Sequence, residues 1–218
     1  MKEGSITMIN TKRIFMSILL LVPFLSASCT SFKQPYLSIR EYTLEYDSPV
    51  FPHKTPLKGT IKIDGFSVAP AYDTGRIIYS RKKYEIDSYI YHRWSSNPGD
   101  MVTYLLGRDI RNSGLFGTVL LPGERMKNFS YRLGGTLEEF YEADGRSDWQ
   151  GVLALSIILF SKGDAETGES VIFQKKYKVN EICEEKNPEA LTEALSRAMK
   201  KVSEQVIEDL YSTLISEQ

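Results

Sequence analysis

Apolar positions recur along the chain with two periods, one of about two residues and one of three to four, and each predicts a different element. Tyr42-Thr43-Leu44-Glu45-Tyr46 alternates apolar with polar side chains, and residues 57–68 do so again with β-branched residues, so both read as strands. Pro49, Pro52 and Pro56 make the stretch between them a loop. Residues 76–80 and 84–91 are further strands; alternation puts Tyr84, Ile86, Ser88 and Ile90 on one face and Tyr89 and Tyr91 on the other. Three longer runs follow at residues 130–142, 149–161 and 170–179. They are separated by Asp144-Gly145-Arg146-Ser147 and by Lys162-Gly163-Asp164 with Thr167-Gly168, compositions that predict an antiparallel meander. Residues 152–160 are apolar on both faces and are expected to be the central strand.

The longer period marks two helices. Asn97-Pro98-Gly99-Asp100 is a start signal, with Asn97 as cap and Pro98 where a missing N–H does no harm. Val102, Leu105, Leu106, Asp109 and Ile110 follow at helical spacing, and Gly114 supplies a left-handed stop. Residues 84–121 thus read as a strand-helix-strand unit, with the right-handed crossover expected of a parallel pair. A second helix starts at Asn187-Pro188 and carries Leu191, Leu195, Ala198, Val202, Val206, Leu210 and Leu214 on one stripe. It spans about 29 residues, roughly 43 Å at 1.5 Å per residue. Either the whole stripe packs on the sheet, or the far end overhangs and meets a partner. The expected architecture is α+β: one mixed, mostly antiparallel sheet covered by two main helices, the C-terminal one long, with no internal repeat.

The N-terminus follows neither period. Lys12 and Arg13 precede an apolar run over residues 14–25, which ends in Ser26-Ala27-Ser28-Cys29. Basic, apolar and small in that order is the arrangement of a secretory signal. The run is about 12 residues, short of the roughly 20 that a membrane-crossing helix needs. Met8 lies just upstream of Lys12, so translation could begin there. The Ser-Ala-Ser-Cys end resembles the bacterial lipobox, in which lipid is attached to the Cys and cleavage falls just ahead of it. Residues 1–28 are then a lipoprotein signal, Cys29 is the lipidated first residue, 29–39 is a tether and 40–218 a single domain. Acyl chains add about 0.8 kcal/mol per buried methylene, so a multiply acylated Cys is a permanent anchor. The alternative is ordinary signal cleavage nearby, with Cys29 an incidental thiol. Thr30 follows the Cys, where an Asp would signal inner-membrane retention in enterobacteria, and the lipobox resemblance then implies export to the outer membrane of a Gram-negative envelope, facing the periplasm.

Composition narrows the function further. Of 218 residues, 42% are hydrophobic and 25% charged, which excludes wholesale disorder. Lys plus Arg number 27 against 28 Asp plus Glu, a net charge of −1, so the chain lacks the positive field that nucleic acid binding requires. Removing residues 1–28 leaves 24 basic and 27 acidic residues, a net charge of −3. The Cys and His residues are Cys29, His53, His92 and Cys183, with no spacing suited to zinc, so no metal or other cofactor is expected. With Cys29 acylated, Cys183 has no disulfide partner.

Catalytic motifs are likewise wanting: there is no G-x-S-x-G, no P-loop and no G-x-G-x-x-G, so the chain is not expected to be an enzyme. Gly134-Gly135 sits inside a strand pattern, where it marks a bulge or a close crossing. His53 and His92 read as surface or packing residues. Alternation places Glu138 and Glu142 on one face and Glu139 on the other, a solvated strand face rather than a glycosidase pair. The remaining signal is aromatic: of 13 Tyr, five crowd into residues 72–91 as Tyr72, Tyr79, Tyr84, Tyr89 and Tyr91, with Trp94 close behind. Such side chains serve binding surfaces and strand cores alike.

These residues carry a resemblance. Cys29, then Tyr42-Thr43-Leu44, the strand over 61–70, Tyr72…Arg76-Ile77-Ile78-Tyr79 and Tyr89…Arg93-Trp94 before a helix resemble the ABC-type transport auxiliary lipoprotein family. The likeness runs from about residue 36 to the C-terminus. It implies a periplasm-facing lipoprotein working beside ABC transporter subunits and an MCE-domain protein in moving lipids between the two membranes. ATP would then be spent in the transporter and the lipoprotein would dock. The resemblance points to Tyr72, Arg76, Tyr79, Arg93 and Trp94 as partner-facing or conformational residues, and leaves a homo-oligomer open. Two other functions fit the same sequence: a periplasmic lipid or hydrophobic-ligand carrier, with an apolar pocket between helices and sheet, and an envelope assembly adaptor.

Overall fold

The computed structural model describes residues 38–145, 148–163 and 168–217, so the expected signal, Cys29 and the expected tether through residue 37 lie outside the described residues. In chain order the elements are β1 (Arg40–Tyr42), β2 (Leu57–Ile63), β3 (Ser67–Val68), β4 (Arg76–Lys82), β5 (Glu85–Trp94), α1 (Pro98–Asn112), β6 (Phe116–Leu120), β7 (Tyr131–Asp144), β8 (Trp149–Lys162), β9 (Glu169–Ile182) and α2 (Pro188–Ser216). Among the described residues the strands form one nine-stranded mixed sheet, and with the two helices the class is α+β.

β7 is the spine of that sheet. β8 pairs with one of its edges along nearly the whole length, antiparallel, and β9 continues the meander antiparallel to β8. The other edge of β7 is shared by three short parallel strands placed end to end: β2 from Tyr131, β3 at Thr136 and β4 at Glu142. β2 hands on to β6 in parallel, β4 to β5 antiparallel, and β5 to β1 in parallel. The parallel ladders are more numerous, and two of the antiparallel ones, β7–β8 and β8–β9, are much longer. The run at 152–160, expected to be central, is instead second from an edge, between β7 and β9. Its apolarity on both faces reflects burial of Val152 and Ala154 as well as of Leu153 and Leu155, not the number of its neighbours.

Strand directions also remove the expected crossover. β4, β2 and β6 all share the direction of β7 while β5 opposes β4, so β5 and β6 are antiparallel and no parallel-crossover handedness applies.

Both helices start at their Asn-Pro signals. Asn97 Oδ1 accepts from Gly99 N at 2.8 Å and Asn187 Oδ1 from Ala190 N at 2.8 Å, each satisfying a first-turn donor. Gly114 takes φ +65° just past α1. The α2 stripe is buried from Leu191 to Leu214, so the helix packs along its length and does not overhang. Leu153, Leu155, Ile157 and Leu159 of β8, a strand it contacts, are fully buried, as are Leu133 and Leu137 of β7, a strand that α1 contacts. Each such side chain contributes roughly 1.5–3 kcal/mol.

Three local readings change. The first strand ends at Tyr42 rather than continuing to Tyr46, because the chain then leaves the sheet to cross the helices. There Leu44 N meets Met101 Sδ at 3.4 Å and Glu45 N donates to Ser196 Oγ at 3.1 Å. A bulge lies between Leu137 and Glu139 in β7. It brings Glu138 and Glu139 together on the outer face, paired with Lys176 and Lys178, and turns Glu142 inward with Phe140. Gly134-Gly135 is not that bulge but a close crossing: a Cβ on Gly135 would lie 2.8 Å from the Phe66 ring. Finally, Tyr84 belongs to the β4–β5 turn, with φ +72°, and not to the face of β5.

Candidate docking surface

Register irregularity in β5 shapes this surface. Ile78 pairs with Ser88 but Arg76 with Arg93, so β5 carries extra residues between 88 and 93 and strict alternation fails there. Tyr89 and Tyr91, expected on one face, diverge: Tyr89 turns in toward β7 and Tyr91 is exposed.

The inward turn assembles a row of four rings from three strands. Tyr79 and Tyr89 meet edge-on at 5.1 Å between centroids, Tyr89 and His92 at 5.7 Å, and His92 and Tyr42 at 5.6 Å. Hydrogen bonds tie each ring down. Tyr79 OH donates to Asp87 at 2.9 Å, Tyr89 OH to Glu142 at 2.9 Å and Tyr42 OH to Glu189 at 3.1 Å, while Tyr42 OH and His92 Nδ1 lie 2.9 Å apart. Glu189 stands in the first turn of α2, where its backbone bond to its own N–H, more than Tyr42, holds its carboxyl below the usual range. The row thus joins the β4–β5 hairpin to the start of the long helix.

Glu142 is the unusual group beneath the row. It is 1% exposed, and burial raises its pKa to about 7, helped by Asp144 and opposed by the Tyr89 hydrogen bond, Arg81 and Lys186. Burial also raises the nearby Cys183 thiol to about 11, with Glu142 adding to the shift, so that thiol stays protonated and unreactive at neutral pH. Among the described residues no group of His, Cys, Asp and Glu could hold a metal ion. His53 sits exposed in its loop at φ +69°.

The residues singled out from sequence are dispersed around this row. Tyr79 is part of it. Tyr72 stacks on Tyr141 at 5.7 Å, on the opposite face, since Tyr141 alternates with Glu142. Arg76 is exposed at the start of β4, and Arg93 is exposed and bonded to Glu41 through Nε at 3.0 Å. Trp94 is 4% exposed and packs on Phe140 at 5.0 Å, so it supports the surface from below. Tyr42, Tyr89, His92 and Glu142 are not among the partner-facing residues to which the resemblance points; His92 reads from sequence as a surface or packing residue and Glu142 as part of a solvated strand face. The compositional crowding of tyrosines pointed at the region, but the β5 irregularity that aligns them leaves no residue-type signature.

The chain matches the family described as ABC-type transport auxiliary lipoprotein component over residues 42–207. A comparison with curated proteins found no match. Among solved structures, a protein from Xanthomonas campestris of a family of unknown function aligns with TM-score 0.71 at 16% identity, covering 82% of this chain and 98% of that one. A hypothetical protein from Chlamydia trachomatis aligns with TM-score 0.53 at 6% identity, covering 73% and 99%. At such identities the likeness is one of fold. The family match spans most of the described domain, from the first ring of the aromatic row to the last turns of α2, and by it the chain belongs to the ABC-type transport auxiliary lipoproteins of the cell envelope.

Proposed function

We propose that the protein is anchored to the outer membrane by lipid on Cys29, faces the periplasm, and works without catalysis as the docking component of an ABC transporter and MCE-domain system for intermembrane lipid transport. The family match over residues 42–207 carries this reading. The row Tyr42–His92–Tyr89–Tyr79 supports it, because ordered, partly exposed aromatics offer large contact area at low entropic cost. Tyr72, Arg76, Tyr79 and Arg93 are the partner-facing residues of this reading, and Trp94 holds the backbone that presents Arg93.

A ligand carrier would need an apolar pocket between helices and sheet. That space is filled by Leu153, Leu155, Ile157, Leu195, Val202 and Val206, all fully buried. The groove of about 610 Å³ beside α2 is lined instead by Glu45, Glu193, Arg197 and Lys200 among others.

Crosslinking the full-length lipoprotein in its native envelope and identifying its companions by mass spectrometry tests the proposal. Recovery of an MCE-domain protein with ABC transporter subunits is expected; recovery of a bound lipid or an assembly machine alone would overturn it. Cys29→Ala is expected to leave the domain folded and shift it from the membrane to the soluble fraction, and its persistence in the membrane would overturn the anchor.

A further inference from the structure

The β4–β5 hairpin closes through Lys82 opposite Glu85, with Lys83 and Tyr84 as the turn. Tyr84 combines two features that folding does not reward. Its φ of +72° lies in the left-handed region, disfavoured for a bulky residue, and it is 94% exposed. Its ring contacts the Lys83 ammonium, 4.8 Å from the centroid. Just behind the turn Ile86 and Ile90 are 52% and 78% exposed. The tip therefore presents apolar and aromatic surface that the core does not use.

The charges at the tip are arranged around that surface. Arg81 leans back, 3.6 Å from Asp144 and stacked over Tyr79, while Asp87 accepts the Tyr79 hydroxyl. Lys82 reaches Glu85 only at 3.7 Å, with both side chains well exposed, an ion pair that water leaves nearly free to exchange. Lys82 and Lys83 are thus the cations available at the turn, flanking an exposed tyrosine.

The direction of the chain supplies the third observation. β1 runs parallel to β5, with Arg40 opposite His92, so the N-terminal end of β1 faces the end of β5 that carries the turn. From His92 back to Tyr84 is at most about 26 Å at 3.3 Å per residue. The chain from Cys29 to Ser38 reaches at most about 30 Å. The tether's greatest reach is thus comparable with the length of the hairpin, and the described chain begins at the end of β1 that faces the turn.

We propose that the β4–β5 hairpin tip, through Tyr84 and Ile86 with Lys82 and Lys83, rests on the anionic phospholipid surface to which the chain is anchored. The inference rests on the Cys29 anchor of the preceding reading. Tyrosine suits the headgroup layer, with its ring in the apolar boundary and its hydroxyl in water, and lysines lay their stems along that boundary with the ammonium at the phosphates. The contact fixes which side of the domain turns to the membrane and leaves the opposite end for a periplasmic partner.

The test uses the mature, lipidated full chain in vesicles of phosphatidylethanolamine and phosphatidylglycerol. Flotation reports the anchor. Tyr84→Trp reports the hairpin, by quenching of its emission on brominated acyl chains above the background of Trp94 and Trp149; Ile86→Trp is the second site should the turn not tolerate the indole. Quenching is expected in these vesicles, weaker in phosphatidylcholine, and reduced about fivefold for each of Lys82→Glu and Lys83→Glu at low ionic strength. A chain that floats with neither indole quenched overturns the hairpin contact and leaves the anchor standing. A chain that does not float overturns both. Protection of the indole that appears only with envelope proteins present would assign the tip to a protein partner and overturn the lipid contact.

Discussion

Replacing Asp109 with alanine is expected to cost the domain about 3–5 kcal/mol, against a total stability of about 5–15 kcal/mol. Asp109 is 0% exposed on α1, at a position of the apolar stripe. Its carboxylate accepts from Tyr46 OH at 2.6 Å, Ser48 Oγ at 2.7 Å and Arg108 Nε at 3.0 Å. Ser48 also accepts from Asn112 at 3.1 Å, and the Tyr46 hydroxyl lies 3.3 Å from Ser203 Oγ on α2. Burial, reinforced by the Asp109 charge, holds that hydroxyl protonated. One carboxylate therefore binds the extended segment at Tyr46 and Ser48 to both helices. Alanine leaves the Tyr46 hydroxyl only the longer contact with Ser203 and leaves Arg108, whose side chain is 26% exposed, without its counterion. Urea or thermal melts should show the loss, on the order of 10 °C in Tm for a domain of this size. A loss under about 1 kcal/mol would mean that water already shares the network.

The second large effect is a pH dependence centred on Glu142. Its folded pKa of about 7 lies above its ordinary value of 4.5. In the window between the two, the folded chain retains a proton that the unfolded chain releases, so stability is highest below pH 4.5 and falls as pH rises through about 7. The full difference amounts to about 3 kcal/mol at 1.36 kcal/mol per pKa unit. Glu142→Gln, whose amide oxygen still accepts from Tyr89, is expected to flatten this slope and to be the more stable protein at pH 8. Unfolding free energies of both proteins across pH 4.5–8 check this; parallel curves would overturn it. The carboxyls of Glu138, Glu169 and Glu189 are held below their usual range, Glu138 by Lys176 and Glu169 by Arg132, so their contributions are lost only at more acid pH and do not blur the window. Glu142 also joins β7 to the β4–β5 hairpin through Tyr89, whose hydroxyl bond favours the ionised carboxyl and offsets part of the stability lost as pH rises.

Local chemistry was legible in the residues themselves. Asn97-Pro98 and Asn187-Pro188 start helices because their side chains and missing N–H groups serve the first turn whatever the rest of the chain does. The 29-residue stripe of α2 and the β7–β8–β9 meander are likewise set by periodicity and by turn composition within each segment. The tyrosine-rich stretch before α1 marked the region of the candidate surface, and the diffuse strand-and-aromatic pattern carried the family.

What the tertiary structure decided concerns register and direction, which depend on contacts between residues far apart in sequence. The bulge after Leu137 reverses the faces of every later residue in β7, and so buries Glu142 instead of leaving it with Glu138 in water. The extra residues in β5 place Tyr89 and His92 in one row although their spacing puts them on opposite faces of a regular strand. Three strands share a single edge of β7 because β7 is long and each of them is short, a fact about the sheet that no one strand's alternation records. Asp109, one of the positions at helical spacing in α1, holds the chain's first extended segment, because Tyr46 and Ser48 arrive from more than sixty residues away to meet it. Periodicity determines which face of an element is apolar; only the packed sheet and helices decide which polar group can be afforded inside, since that depends on the partners brought to it.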